Sequence, residues 1–179
     1  ENQKSRALEL ARQAACEAFV LLKNEENLLP LSEKIGTVAL IGPNADNPQL
    51  GDYTVAEAAA RAVTLKTALQ QYLGEDRVLF ARGCTTAGGT DAQLREAVEA
   101  AGRADVALVV LGDNSNFYGG IGWGDEETDG KLAVTCGEGF DVHDVELPPC
   151  QQALLEAVYA TGKPVILLLC HIQSFFFFW

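Results

Sequence analysis

Between Gly112 and Asp141 the chain gathers glycines, carboxylates, amides and aromatic rings in a stretch with little helical or strand periodicity. It runs Gly112-Asp113-Asn114-Ser115-Asn116-Phe117-Tyr118-Gly119-Gly120 to Trp123, through an acidic turn from Asp125 to Asp129, and on to Cys136-Gly137-Glu138-Gly139-Phe140-Asp141. Aromatic faces (Tyr118, Trp123, Phe140) interleaved with amides and carboxylates suit a polyol ring, which offers apolar C–H faces and a rim of hydroxyls. Glu138 stands between two glycines, where backbone can approach on either side. Partial desolvation in such a place moves a carboxyl toward the range of a general acid. The plainer alternative for Glu138 is a solvated loop carboxylate.

Two other chemistries are weaker fits to the same stretch. Gly120-x-Gly122-x-Gly124 lacks the spacing of a Gly-x-Gly-x-x-Gly phosphate cradle, and no Gly-Lys-Ser/Thr follows it. Asp125, Glu127, Asp129 and Gly130 fall at positions one, three, five and six of a calcium loop. The twelfth position is Cys136, not the bidentate Glu such a loop needs, so a solvated acidic turn is the better account and neither metal nor cofactor is expected.

The elements that must position this stretch are legible on both sides of it. Leu8, Ala11, Ala15, Ala18, Leu21 and Leu22 predict an amphipathic helix over 5–22. Strands are predicted at 37–41 (TVALI), closed by Gly42-Pro43-Asn44, and at 77–81 (RVLFA), with a helix over 62–72 between them. Asp91 is the predicted N-cap of a helix ending at Gly102. Residues 106–111 (VALVVL) are apolar on both alternations, as a strand buried on both faces should be. Pro148 and Pro149 open a helix that ends at Gly162, before a last strand at 165–169. This alternation predicts an α/β fold, an open, mainly parallel sheet with helices on both faces in a three-layer sandwich. The long gap from Leu111 to Leu147 leaves the C-terminal end of a central strand, where open α/β sheets place ligand sites.

Composition narrows the partners. The chain has 179 residues, 48% of them hydrophobic, and a net charge of −12, so it reads as a globular chain repelled by DNA, RNA and anionic lipid. No stretch approaches the ~18 apolar residues that span a bilayer. Cys16, Cys84, Cys136, Cys150 and Cys170 are odd in number, scattered and without a Cys-x-x-Cys pair, so they are expected to be mostly reduced and buried. With no Met and an opening in mid-helix, the chain reads as a fragment of something longer whose compartment is not legible.

An ordered set of segments resembles the second domain of glycoside hydrolase family 3 over nearly the whole chain to Leu169. It comprises 21–31 (LLKNEENLLPL), 38–46 (VALIGPNAD), Gly51-Asp52-Tyr53, Gly83-Cys84, Gly137-Glu138-Gly139-Phe140-Asp141, Leu147-Pro148 and Gln151-Gln152. The resemblance implies an N-terminal barrel domain carrying an aspartate nucleophile, followed by this α/β sandwich, which lends the acid/base glutamate on a loop. Glu138 matches that acid/base and Asp141 the Asp that follows it; Asp141 joins Phe140, Trp123 and Tyr118, read above from the residue types of the loop, as a candidate substrate contact. The implied reaction is retaining hydrolysis of a β-linked glucoside or oligosaccharide, and the parent is expected to be a β-glucosidase. A retaining mechanism needs two carboxylates about 5 Å apart, and only one is matched here, so the isolated chain is expected to be inactive. The alternative is a non-catalytic carbohydrate-binding or scaffold module.

Two departures from the family pattern stand out. Where members carry Arg after Asp141, this chain has Val142 and then His143. Where they continue into an Asn-Gly-Arg-Pro turn, this chain reads Cys170-His171-Ile172-Gln173-Ser174 and ends in Phe175-Phe176-Phe177-Phe178-Trp179. The expected division is therefore 1–32, a helix and linker from the barrel; 33–169, the sandwich, truncated at its C-terminus; and 170–179, an atypical aromatic tail that reads as a reading-frame scar.

Overall fold

The computed structural model describes residues 2–51, 61–115, 135–137 and 146–170. Chain contacts divide it into two compact units, Glu1–Glu33 and Lys34–Trp179.

In the first unit, α1 spans Asn2–Ala18. It starts before the predicted Ser5 and stops four residues short of Leu22, because Phe19 and Val20, aromatic and β-branched, lose side-chain freedom against a preceding helical turn. Its surface carries an Arg12–Glu9 ion pair at 2.6 Å and a Gln13–Glu17 hydrogen bond at 2.8 Å, the spacings at which helical side chains meet. The turn that follows is stapled by one side chain: Asn24 Nδ2 donates to Leu29 O at 2.8 Å and Asn24 Oδ1 accepts from Leu29 N at 3.1 Å.

In the second unit, four parallel strands, β1 (Val38–Ile41), β2 (Val78–Ala81), β3 (Val106–Gly112) and β4 (Val165–Cys170), lie in the order β2-β1-β3-β4. Val38 stands opposite both Val78 and Val106, and Ala107 opposite Val165. Three helices join them: α2 (Leu65–Leu73), α3 (Asp91–Arg103) and α4 (Pro149–Tyr159).

The register sorts side chains into two faces. Ala39, Ile41, Ala81, Ala107, Val109 and Leu111 share one face and form a core with Ala97, Ala100 and Ala101 of α3 and Leu154, Leu155 and Val158 of α4. Phe80, paired with Leu40, points to the opposite face, where Lys66 of α2 stands 4.4 Å above its ring. Helices therefore cover both faces, giving the three-layer α/β arrangement that the alternation predicts. β1 and β3 are buried throughout, which explains their unbroken apolar sequences. Small alanines on α3 let it sit close to the sheet, and fully buried Leu154 fills the space beside Gly83.

Helix starts shift slightly from their predicted places for local reasons. Thr90, not Asp91, is the N-cap of α3: Thr90 Oγ1 accepts from Gln93 N at 3.3 Å and Gln93 Oε1 accepts from Thr90 N at 2.9 Å, a reciprocal capping box. Asp91 then stands in the first turn, where its charge complements the helix dipole. Likewise Thr64 caps α2 by accepting from Thr67 N, so that helix begins at Leu65 and not at Ala62. Among the described residues no helix is long and apolar enough to cross a membrane.

Candidate functional site

β1 and β3 are neighbours, yet their connections leave in opposite directions. β1 runs through α2 to β2 on one side, and β3 through α4 to β4 on the other. Between two such strand ends an open α/β sheet has a crevice. Both strands close with a glycine in the positive-φ region, Gly42 at +123° and Gly112 at +125°. A Cβ on Gly42 would fall on the Val110 carbonyl oxygen and one on Gly112 on that of Cys170, so only glycine lets the chain turn against its neighbour here.

Side chains from both turns meet in the crevice. Buried Asn44 donates from Nδ2 to Asp113 O at 3.1 Å, and its Oδ1 accepts from Gln49 Nε2 at 2.6 Å. Gln49 Nε2 also reaches Asp113 O, at 3.3 Å, and Asn47 Nδ2 donates to Asn114 Oδ1 at 3.3 Å. The turn after β1 is fixed to α2 by Lys66, whose ammonium lies 2.8 Å from Asp46 Oδ2 and whose backbone N–H donates to Ala45 O.

From the other side, Asp113 N donates to Cys170 O at 2.9 Å, joining the exit of β3 to the end of β4. Thr135 closes the remaining edge: its N–H donates to Asn114 O at 2.8 Å, its Oγ1 accepts from Asn114 N at 3.0 Å, and its hydroxyl donates to Asp113 Oδ1 at 2.9 Å. Below these groups the fully buried Gln151 accepts from Gly112 N and donates to the carbonyls of Gly112 and Thr86. Buried amides and carboxylates are tolerated when their hydrogen bonds are made, and this network makes them between stretches far apart in the sequence.

The depression left above the network has a volume of about 290 Å³ and is lined by Gln49, Leu50 and Gly51 from one side and by Asp113, Ser115, Cys136 and Cys170 from the other. Burial pushes the Cys170 thiol up, so it stays protonated at neutral pH. Cys84 and Cys136 are buried and Cys150 and Cys170 half-buried, as small apolar side chains, whereas Cys16 on α1 is exposed. Among the described residues no group of three or more His, Cys, Asp or Glu side chains could hold a metal ion.

The predicted site residues Tyr118, Trp123, Glu138, Phe140 and Asp141 lie outside the described residues, as do the acidic turn from Asp125 to Asp129, His143 and the tail from His171 to Trp179. What is described is the ground from which their segments start: Ser115 and Cys136 both line the depression, and Gly137 is the residue before Glu138. The amide and carboxylate network itself was not singled out by sequence reasoning. Asn44, Gln49, Asp113 and Thr135 show no catalytic spacing, and the one signal is that Asn44 and Asp113 each lie within three residues of a strand end.

A family model, glycosyl hydrolase family 3 C-terminal domain, matches residues 19–177. A β-xylosidase of Formosa agariphila is 32% identical over 177 residues, covering 94% of this chain and 21% of the relative. A periplasmic β-glucosidase of Salmonella typhimurium is 30% identical over 182 residues, covering 89% of this chain and 21% of the relative. A solved family 3 exo-β-xylosidase, bound to a xylobiose aziridine probe, superposes with a TM-score of 0.69 at 26% identity, over 93% of this chain and 19% of that one. The chain thus spans 21% of the length of each of these two curated relatives. Its strand order, its crevice between β1 and β3 and the match along almost all of its length agree: the chain belongs to the glycosyl hydrolase family 3 C-terminal domain family.

Proposed function

We propose that this chain supplies the acid/base carboxylate, Glu138, for retaining hydrolysis of β-linked glycosides, acting beside a barrel domain of the same polypeptide that carries the nucleophile. The observation that carries this reading is the position of Ser115 and Cys136 in one depression at the strand ends, since the segments bearing Tyr118, Trp123 and Glu138 continue from them. In this reading Glu138 protonates the departing oxygen and later deprotonates the water that releases the sugar. Tyr118, Trp123 and Phe140 present ring faces to the sugar, and Asp141 accepts from its hydroxyls. Residues 1–32 are the connection from the barrel and 33–169 the sandwich.

The substrate we assign is a β-glucoside. The relatives include a β-glucosidase and a β-xylosidase, so both sugars belong in the test. In the full polypeptide carrying this chain, Glu138→Gln should lower hydrolysis of cellobiose by about a hundred- to ten-thousand-fold, the usual worth of general acid–base assistance. An aryl β-glucoside whose leaving group departs unassisted should suffer much less in the glycosylation step, and azide should restore part of its rate by attacking the covalent intermediate. Glu127→Gln serves as the control. Equal losses for the two variants, or no azide rescue of Glu138→Gln, would overturn the assignment. Faster turnover of the matching β-xyloside would overturn the choice of sugar. The 179-residue chain alone should turn over neither aryl glycoside.

A further inference from the structure

Asn114 and Thr135 form a neck beyond the end of β3. Asn114 and Thr135 are 21 positions apart in sequence, yet each donates its backbone N–H to the other residue, Thr135 to the Asn114 carbonyl and Asn114 to the Thr135 hydroxyl oxygen. The same hydroxyl donates to Asp113 Oδ1, so one small side chain uses its donor and an acceptor lone pair at once. Asp113 is itself fixed on its other sides: its N–H is bonded to Cys170 O, and its C=O accepts from Asn44 and Gln49. The neck is therefore tied to β4 and to the turn after β1 as well as to β3. Cys136, next along the chain, is buried, and Gly137 takes φ +125°, a conformation that a side chain would oppose. Thr135, three positions before Glu138 in the sequence, is thus held by its hydroxyl together with its own N–H.

We infer that Thr135 is a positioning residue for the reaction, its hydroxyl holding the base of the segment that continues into Glu138. The inference rests on the role proposed above for Glu138. A proton donor has to lie within hydrogen-bond reach of the leaving oxygen, and small misplacements of a catalytic group cost large factors in rate. Nothing in this role touches the substrate, so binding should survive its loss better than turnover does.

The test uses Thr135→Val, close to Thr in shape but without donor or acceptor, and Thr135→Ser, which keeps both, in the full polypeptide. For Thr135→Val, kcat on cellobiose should fall by about tenfold to a hundredfold. KM should hold, and the loss on an aryl glucoside with a good leaving group should be smaller, the same direction of leaving-group dependence as Glu138→Gln. Thr135→Ser should restore the parent behaviour, and amide exchange at Asn114 should speed up in the Val variant only. Should Thr135→Val fail to yield folded protein, Thr135→Ala is read in the same way. A leaving-group-independent loss, a rise in KM without a fall in kcat, or unchanged Asn114 exchange would overturn the inference while leaving the role of Glu138 standing. Loss of leaving-group dependence in Glu138→Gln itself would overturn that role, and the positioning claim with it.

Discussion

Gly112 and Gln151, 39 residues apart, are joined as a closed pair: Gly112 N–H donates to Gln151 Oε1 at 2.8 Å and Gln151 Nε2 donates to Gly112 O at 2.9 Å. A side-chain amide here takes the place of a strand partner where β3 runs past the end of β1. Its second N–H goes to Thr86 O at 2.8 Å, so the loop after β2 is held to the exit of β3 through the same group.

Gln151→Met should therefore be costly out of proportion to its change in size. It removes the partner of the buried N–H and C=O of Gly112 and a donor to the Thr86 carbonyl, and an unsatisfied buried group costs about 1–3 kcal/mol. Urea unfolding should show a loss of roughly 3–5 kcal/mol of stability with the slope unchanged. Gln152→Met, on the exposed side of α4, should stay within about 0.5 kcal/mol of the parent.

Leu154→Ala tests the seam between α3, α4 and the sheet. Leu154 is fully buried and packs on the bare Cα of Gly83, so the void left by truncation has backbone on one side that cannot collapse into it. A loss of about 2–5 kcal/mol in the same unfolding measurement is expected.

Asp105 gives the far end of the sheet a pH dependence of known sign. Its carboxylate accepts from Thr37 N at 2.7 Å, and this backbone hydrogen bond, with a smaller one from Gly36, holds its pKa below the ordinary carboxylate value near 4. A folded-state pKa lower than the unfolded one means that the contribution is complete above that ordinary value and is lost as the pH falls through the lower folded value. Asp105→Asn should thus be less stable than the parent at neutral pH, and the gap between the two melting temperatures should close in acid. A gap that is the same at both pH values would show that the charge plays no part.

Thiol alkylation should separate the cysteines by position. Cys16 is exposed, whereas the Cys170 thiol is kept protonated by burial, and the thiolate is the reactive form. Iodoacetamide at pH 8, followed by peptide mapping, should label Cys16 first and Cys170 slowly. Equal rates would mean that the end of β4 is open to solvent.

The strands were legible because a buried parallel strand has to be apolar on both faces, and Val38–Ile41 and Val106–Gly112 carry no other pattern. Helix ends were legible to within a few residues, and the misses have physical causes. Asp91 looks like a cap by type, but the reciprocal bonds of Thr90 and Gln93 win the position. A depression does lie at the end of β3, where topology directs attention, while its polar lining was not foreseen. Asn44 and Asp113, 69 residues apart, become neighbours only because β1 and β3 are adjacent in the sheet. Gln151 stood in the sequence as part of a family motif with no stated task, since a buried amide bonded to backbone leaves no periodic trace. Glu138 and its aromatic companions lie outside the described residues, and their roles rest on the resemblance and on where their segments start.

The strand order also sets a timetable for synthesis. β1, β2 and β3 leave the ribosome before β4, and Gln151 follows Gly112 by 39 residues. A nascent chain that has emerged from the ribosome only as far as Ser115 can pair β3 with β1, but it has neither the amide that Gly112 needs nor the strand that covers the other side of Val106–Gly112. During that interval six apolar residues in a row present an open edge, the feature that recruits other chains or a holding chaperone. A pause in translation just after β3 would therefore endanger this domain more than one after β4.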